Sequence, residues 1–188
     1  QQGELKLEEL LNNIKQKRKG KKYDCIVGLS GGVDSCYLTY LSKQWGLNPL
    51  VVHIDNGWNS DMAVKNIKSV LDHLHLDLFT FVADWDEMRD LQLSHLKASV
   101  LDLEGPFDNM FYAALYKVAK QHKIKYILMG YNTQTEGWLP PNFVHYKLDK
   151  INLKAIQKKF GNTRIKKLPL VGPVDQWKYT RIEGIQMV

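Results

Sequence analysis

Short apolar runs and longer stretches of helical periodicity alternate along this chain. Residues 23–29 (YDCIVGL), with β-branched Ile26 and Val27, predict a parallel strand covered on both faces. Residues 50–55 (LVVHID), 78–83 and 125–130 (KYILMG) predict the second, third and fourth strands. Between them, apolar positions recur every three or four residues. Leu7, Leu10, Leu11 and Ile14 predict an amphipathic helix over about 5–17, and a second helix runs from Cys36. Val64, Ile67, Leu71 and Leu74 predict a third, capped by Asn59 or Ser60. Met88, Leu91, Leu96 and Val100 make a fourth, and GPFDN (105–109) opens a fifth with Asp108 or Asn109 able to cap it. A short helix follows over 152–160. RIKKLPLVGP, from Arg164, suggests an edge strand, and the tail stops without a terminating signal. Strands alternating with helices predict an α/β fold built on a doubly wound parallel sheet.

With 188 residues the chain is expected to form one domain over 23–188, incomplete at its C-terminal end, preceded by an N-terminal helix and basic linker over 1–22. Lys and Arg outnumber Asp and Glu by 26 to 20, a balance suited to an anionic small molecule and common among proteins generally. Much of the excess lies in KQKRKGKK, residues 15–22, which reads as a solvated helix end or as a basic arm for RNA. Two cysteines, Cys25 and Cys36, make neither a disulfide framework nor a CxxC metal site. No apolar run is long enough to span a bilayer and the first residues have no signal-peptide pattern, so a cytoplasmic location is expected.

The chemistry concentrates in SGGVDS, residues 30–35, between the first strand and its helix. Gly31 and Gly32 allow a sharp turn and close backbone approach to a ligand, and the helix start behind them points free N–H groups at it. The glycines alone also fit a structural turn. A P-loop would need Lys and then Ser or Thr after the last glycine, where Val33 and Asp34 stand. A carboxylate inside an anion-binding loop makes sense if a cation accompanies the phosphates. Asp55 ends the second strand at the same sheet edge, where a carboxylate can meet a ribose hydroxyl. His53, on the same face, reads as a hydrogen-bonded core histidine. Trp58 reads as a stacking surface or as a half-buried indole. Asp84, Asp86 and Glu87 hold Mg²⁺ or begin a helix, and capping is the expectation. YNTQTEG, 131–137, brings Asn132, Thr133, Thr135 and Glu136 beside the loop if the sheet is doubly wound. Lys150, Lys154 and Lys158 form a cationic helical stripe.

SGGVDS resembles the PP-loop of the N-type ATP pyrophosphatases, a group that includes GMP synthetase, asparagine synthetase and the tRNA lysidine and thiolation enzymes. The resemblance implies the adenine nucleotide alpha hydrolase-like fold and cleavage of ATP to AMP and pyrophosphate. HIDNGWNSDMAVKNI, DWDEMRDLQL, PFDNMFYAALYKVAKQHKIKYILMGYNTQTEG and LKAIQKKFG further resemble the bacterial N-acetyl sugar amidotransferases of lipopolysaccharide biosynthesis. That family implies ATP and Mg²⁺, a nucleotide-linked N-acetyl sugar as substrate, and glutaminase and cyclase-like subunits that supply ammonia; no nucleic-acid partner is expected. By matching motif, Ser30, Gly31, Gly32, Val33, Asp34 and Ser35 would hold the pyrophosphate, with Asp34 and Glu136 near the metal. Asp55 and the backbone at Gly57 would border adenosine. Gly130 and Thr135 would contact the nucleotide. Asp108 and Asn109, with Asn132 and Glu136, would line the reacting centre, and Lys154 or Lys159 would steady the phosphates. The family's cysteine-containing N-terminal segment and its further C-terminal helical region have no counterpart in this sequence. A lysidine-type tRNA-modifying enzyme and a non-catalytic ATP-binding protein of the same fold are the rival expectations.

Overall fold

The computed structural model describes residues 2–18, 20–131 and 146–188. Among these residues five parallel strands form one sheet: β1 (Ile26–Gly28), β2 (Leu50–Asp55), β3 (Leu78–Val82), β4 (Tyr126–Leu128) and β5 (Gln186–Met187), in the order β3-β2-β1-β4-β5. Among the described residues the helices are α1 (Gln2–Lys17), α2 (Val33–Gln44), α3 (Asp61–Leu74), α4 (Trp85–Lys97), α5 (Gly105–Gln121), α6 (Lys150–Phe160) and α7 (Pro173–Trp177), the last continued by a π-helical turn, Lys178–Ile182. β2 spans the residues its apolar run predicts. β1 is shorter than its run, although the Leu50 N–H to Cys25 carbonyl bond and the Leu29 N–H to Val52 carbonyl bond, both 2.9 Å, extend the pairing by one residue at each end.

Strand periodicity divides the core. Ile26, Leu50, Val52 and Ile54 face α4 and α5, packing with Met88, Leu91, Met110 and Leu115. Cys25, Val27, Tyr126 and Leu128 point the other way, onto Ile14 of α1 and the half-buried Leu38 of α2. Leu29 and Val51 meet Ile67 of α3 on that second face. The helices start where their backbone donors find acceptors. Ser60 Oγ caps α3 by accepting from Ala63 N–H at 3.2 Å, and Asp84 caps α4 through Glu87 N–H at 3.2 Å.

Two expectations need correction. Neither Asp108 nor Asn109 caps α5, because Asp102 Oδ1 already accepts from Glu104 and Gly105 N–H at 2.9 and 3.2 Å and Pro106 fixes the first turn. Residues from Arg164 do not form the edge strand. The N–H groups of Lys166, Lys167 and Leu168 all donate to the buried Glu87 carboxylate, leaving none for a ladder, and β5 takes the edge beside β4 instead.

Asp90, one turn after Glu87, completes this clamp. Its Oδ2 accepts from Thr163 N–H at 2.7 Å, Asn162 N–H at 2.8 Å and the Gln157 amide at 2.5 Å. Burial pushes the Asp90 carboxyl up, but those donors outweigh it and hold the group below the ordinary aspartate value. A carboxyl depressed on folding stabilises the fold above its unfolded value, so this contribution is lost as the pH falls below about 4. Denaturant titrations from pH 6 to 2.5 should show a smaller acid-induced loss in Asp90→Asn than in the parent protein. Equal slopes would remove Asp90 from the account of acid unfolding.

Candidate active site

Chain direction reverses between β1 and β4: α2 carries the chain from β1 toward β2, while α4 and α5 carry it back across to β4. A crevice opens at the carboxyl ends of the strands on either side of such a switch point, and residues 30–35 lie there.

The loop is held from behind. Gly31 has a φ of +85°, and a Cβ on it would stand 2.4 Å from the Ala63 carbonyl oxygen in the first turn of α3. Asn66 Nδ2, one turn further on the same helix face, donates to the Gly31 carbonyl at 2.9 Å. Inside the loop, Ser35 Oγ accepts from Ser30 N–H at 3.2 Å and donates to the Gly32 carbonyl at 3.0 Å, while the Ser30 and Ser35 hydroxyls lie 3.1 Å apart. Gly32 occupies the N-cap of α2, and no side chain caps that helix. Its leading N–H groups, at Val33, Asp34 and Ser35, therefore face outward beside two hydroxyls. Oriented amides at the positive end of a helix dipole make an anion cradle. The Val33 side chain is 80% exposed.

Gly130 closes the other side. A Cβ there would lie 3.0 Å from Ser35 N, so the end of β4 touches the first turn of α2. Below the loop, Gly28 leaves 3.6 Å between its absent Cβ and the Phe111 ring of α5. Asp34 is half-buried at the head of α2. One carboxylate beside a phosphate cradle suits Mg²⁺, which keeps several waters and shares phosphate oxygens instead of requiring an all-protein cage. Among the described residues, no cluster of three or more His, Cys, Asp or Glu could hold a metal by itself.

At the end of β2, Asp55 Oδ1 accepts from Gly57 N–H at 3.0 Å and Asn59 Nδ2 at 2.9 Å. Gly57, with φ +83°, lets the backbone lie against Trp85, whose ring would be 2.6 Å from an added Cβ. Trp58 meets Trp85 edge to face at 5.8 Å and donates its indole N–H to Gln92 at 3.1 Å. At 66% exposed, the Trp58 indole is an open aromatic surface. His53 is buried, its Nδ1 2.9 Å from the Leu29 carbonyl, as a core histidine should be. Asp84, Asp86 and Glu87 begin α4, and Asp84 also pairs with Lys167 at 2.6 Å.

Other anticipated residues are distributed differently. Asp108 pairs with Lys147 at 2.5 Å, and Asp102 lies 3.4 Å from the same ammonium. Burial pulls Lys147 down, but the two carboxylates outweigh it and hold the ammonium above the ordinary lysine value. Asn109 is fully buried. Its amide donates to the Lys147 and Val171 carbonyls at 3.1 and 2.8 Å and accepts from Val171 N–H at 2.9 Å, which makes it a brace between segments. Lys154 and Lys159 are exposed on α6, a helix packed on α4 through Leu153 and Gln157. Lys159 lies 5.1 Å from the Phe160 ring. Asn132, Thr133, Thr135 and Glu136 lie outside the described residues.

The basic run is tied to the opposite edge of the sheet. Lys21 donates to the Lys123 carbonyl at 2.8 Å, Lys22 pairs with Asp77 at 2.9 Å and Arg18 with Asp24 at 3.1 Å.

Ala63, Asn66 and Lys147 are site-building residues that motif reading passes over. The first two share one face of α3, a helix face that carries no local signal of the loop it meets. Lys147 leaves no local signal, since its partner Asp108 is 39 residues away.

No family model matches the chain. It is 30% identical over 129 residues to an uncharacterized protein of Methanocaldococcus jannaschii, covering 66% of this chain and 43% of that protein. It is 26% identical over 141 residues to the tRNA(Ile)-lysidine synthase of Chlamydia pneumoniae, covering 74% of this chain and 40% of the enzyme. The chain thus spans less than half the length of these relatives. Among solved structures, it resembles NMN synthetase from Francisella tularensis, with a TM-score of 0.52, 16% identity and coverage of 96% and 86% of the two chains. NH3-dependent NAD synthetase from Campylobacter jejuni matches with a TM-score of 0.50 and 16% identity over 81% and 70%. Among the described residues no helix is long and apolar enough to cross a membrane. Strand order and these solved structures agree on one placement: the chain has the adenine nucleotide alpha hydrolase-like fold.

Proposed function

We propose that this protein binds ATP with Mg²⁺ at the 30–35 loop and adenylates the acetamido oxygen of a nucleotide-linked N-acetyl sugar, yielding pyrophosphate and, after ammonia attack, an acetamidino sugar and AMP. The observation that carries the ATP half is the uncapped head of α2, with the Ser30 and Ser35 hydroxyls beside it and Asp34 in its first turn. An amide carbonyl is a poor electrophile with a poor leaving group. Attack of its oxygen on the α-phosphorus breaks the bond to the β-phosphate and releases pyrophosphate. Ammonia then adds to the imidate carbon, the C–O bond breaks, AMP departs, and the nitrogen loses a proton to solvent as the amidine forms. The cradle amides neutralise charge on the departing pyrophosphate, Asp34 would hold Mg²⁺ beside it, and alignment supplies most of the acceleration. The sugar half rests on the sequence phrases given above. Ammonia would come from glutaminase and cyclase-like partners.

A second reading, adenylation of a tRNA base, is favoured by the lysidine synthase relatives. The basic run offers it little support, because Arg18, Lys21 and Lys22 are engaged at the sheet edge away from the loop. Thiolation chemistry is disfavoured within it: burial pushes both the Cys25 and Cys36 thiols up, away from the thiolate form.

Incubation with Mg²⁺, ATP and ammonium should release AMP and pyrophosphate with UDP-N-acetyl sugars and not with unmodified tRNA. Asp34→Ala should lower the rate by roughly 100-fold or more, the scale of losing a charge that positions the transition state. Stimulation by tRNA alone would transfer the function to the second reading, and ADP formation would refute α-phosphorus chemistry altogether.

A further inference from the structure

A cleft of about 580 Å³ opens between the C-terminal half of α4, the turn before α5 and the first half of α6. Val100, Leu153 and Ile156 give it an apolar lining, and His95, Lys147 and Asn152 are among its polar groups. None of residues 30–35 lines it. It is connected to the loop through α5, since Lys147 pairs with Asp108 in the helix's first turn and Phe111, one turn on, lies under Gly28.

His95 is the group that its surroundings leave unsatisfied. Only 2% exposed, it donates from Nδ1 to the Leu91 carbonyl at 2.8 Å, with Ser94 Oγ 3.2 Å from the same nitrogen. Nε2, on the opposite edge of a ring that lines the cleft, has no hydrogen-bond partner among the described residues. Burial holds the imidazole below its ordinary value against the opposing pull of the Leu91 carbonyl and Asp102. The ring is therefore neutral near pH 7, and Nε2 keeps a bare lone pair, sealed from solvent behind the cleft wall. A buried acceptor left without a donor is destabilising, so a ligand hydroxyl that parts the wall to reach it gains an interaction water does not supply.

We propose that this cleft is the acceptor subsite and takes the sugar ring, with His95 Nε2 accepting a hydrogen bond from a ring hydroxyl. The volume falls within the range of small-molecule sites. A pyranose offers C–H surface to Val100, Leu153 and Ile156 and hydroxyls to His95 and Asn152. Asp102, Glu104 and Asp149 outnumber Lys147 among the charged lining groups, an acidic setting that favours a neutral ring and opposes a phosphate-rich RNA strand. The choice of a sugar as ligand rests on the function proposed above; the subsite itself rests on the cleft and the orphaned imidazole.

The test is direct binding of UDP-N-acetylglucosamine and its galacto and manno epimers to the parent protein, His95→Phe and Ile156→Trp, with ATP binding measured alongside. Phe removes the acceptor, and Trp fills the cleft from α6 should the His95 variant fold poorly. Both variants should weaken the best sugar nucleotide by about tenfold or more, near 1.4 kcal/mol, with ATP affinity unchanged within about twofold. The His95 Nε2 resonance should also move on saturation with sugar. Sugar binding that depends on His95 without AMP formation would keep the subsite and sink the amidotransferase reading. Sugar-dependent AMP formation with both variants binding as the parent does would keep that reading and sink the subsite. Failure of all three epimers to bind would overturn the proposal.

Discussion

Gly31→Ala is expected to abolish measurable ATP binding while leaving the sheet intact. The left-handed backbone at Gly31 costs an alanine about 1–2 kcal/mol, and its Cβ would stand 2.4 Å from the Ala63 carbonyl oxygen. That oxygen belongs to helix backbone, so relief requires moving the first turn of α3 or the loop. Either movement breaks the Asn66 bond to the Gly31 carbonyl and turns the α2 N–H groups away from a common point. A loss of roughly 100-fold in affinity, about 2.8 kcal/mol, follows even if each displacement is small. Asn66→Ala removes only the one hydrogen bond and should cost about 1 kcal/mol, roughly fivefold. Calorimetric titration with ATP and Mg²⁺ reads both without needing an acceptor substrate, and circular dichroism checks that the fold survives. Parent-like affinity in Gly31→Ala would mean that the cradle does not bind the nucleotide.

The contrast between Gly31 and its supports illustrates what could be read beforehand. The strand-turn-helix pattern around SGGVDS depends on neighbours in sequence, so its place at a sheet edge was legible, as were β2, the Ser60 and Asp84 caps and the core role of His53. Gly130 could be placed beside the loop because doubly wound connectivity brings β4 next to β1. Ala63 and Asn66 were not legible as loop supports, since a helix's outward face carries no local signal of what it meets. The same limit hid Asn109, which reads locally as a cap and in the fold braces Val171, 62 residues away. The failed edge strand has the same origin. RIKKLPLVGP has a strand-like composition, but its donors were claimed by a carboxylate about 80 residues earlier.

That carboxylate carries the largest expected effect on stability. Glu87 is 5% exposed and accepts from three consecutive backbone N–H groups: Lys166 at 3.0 Å, Lys167 at 2.9 Å and Leu168 at 3.0 Å. Three parallel donors converging on one charged acceptor form a nest built around an anion. Glu87→Ala leaves them facing a void, in a segment whose only other ties to α4 described above run through Asp90 and Asp84. Each unpaired donor costs about 1–3 kcal/mol, partly relieved by entering water, so a total of about 3–5 kcal/mol is expected. Set against the 5–15 kcal/mol that holds a typical domain together, this should lower Tm by roughly 10 °C or more for a chain of this size. Glu87→Gln keeps one oxygen but turns amide hydrogens toward the same N–H groups, so it should fall between parent and alanine. Asp86→Ala, at an exposed neighbouring position, should stay within about 0.5 kcal/mol. Chemical denaturation of the four proteins distinguishes the clamp from generic surface charge: equal losses at 86 and 87 would mean that the 162–168 segment holds its place without Glu87. Because the clamp lies on α4 and the cradle at the head of α2, Glu87→Gln should retain ATP affinity wherever it remains folded, and a loss of binding without unfolding would show that the two regions are coupled.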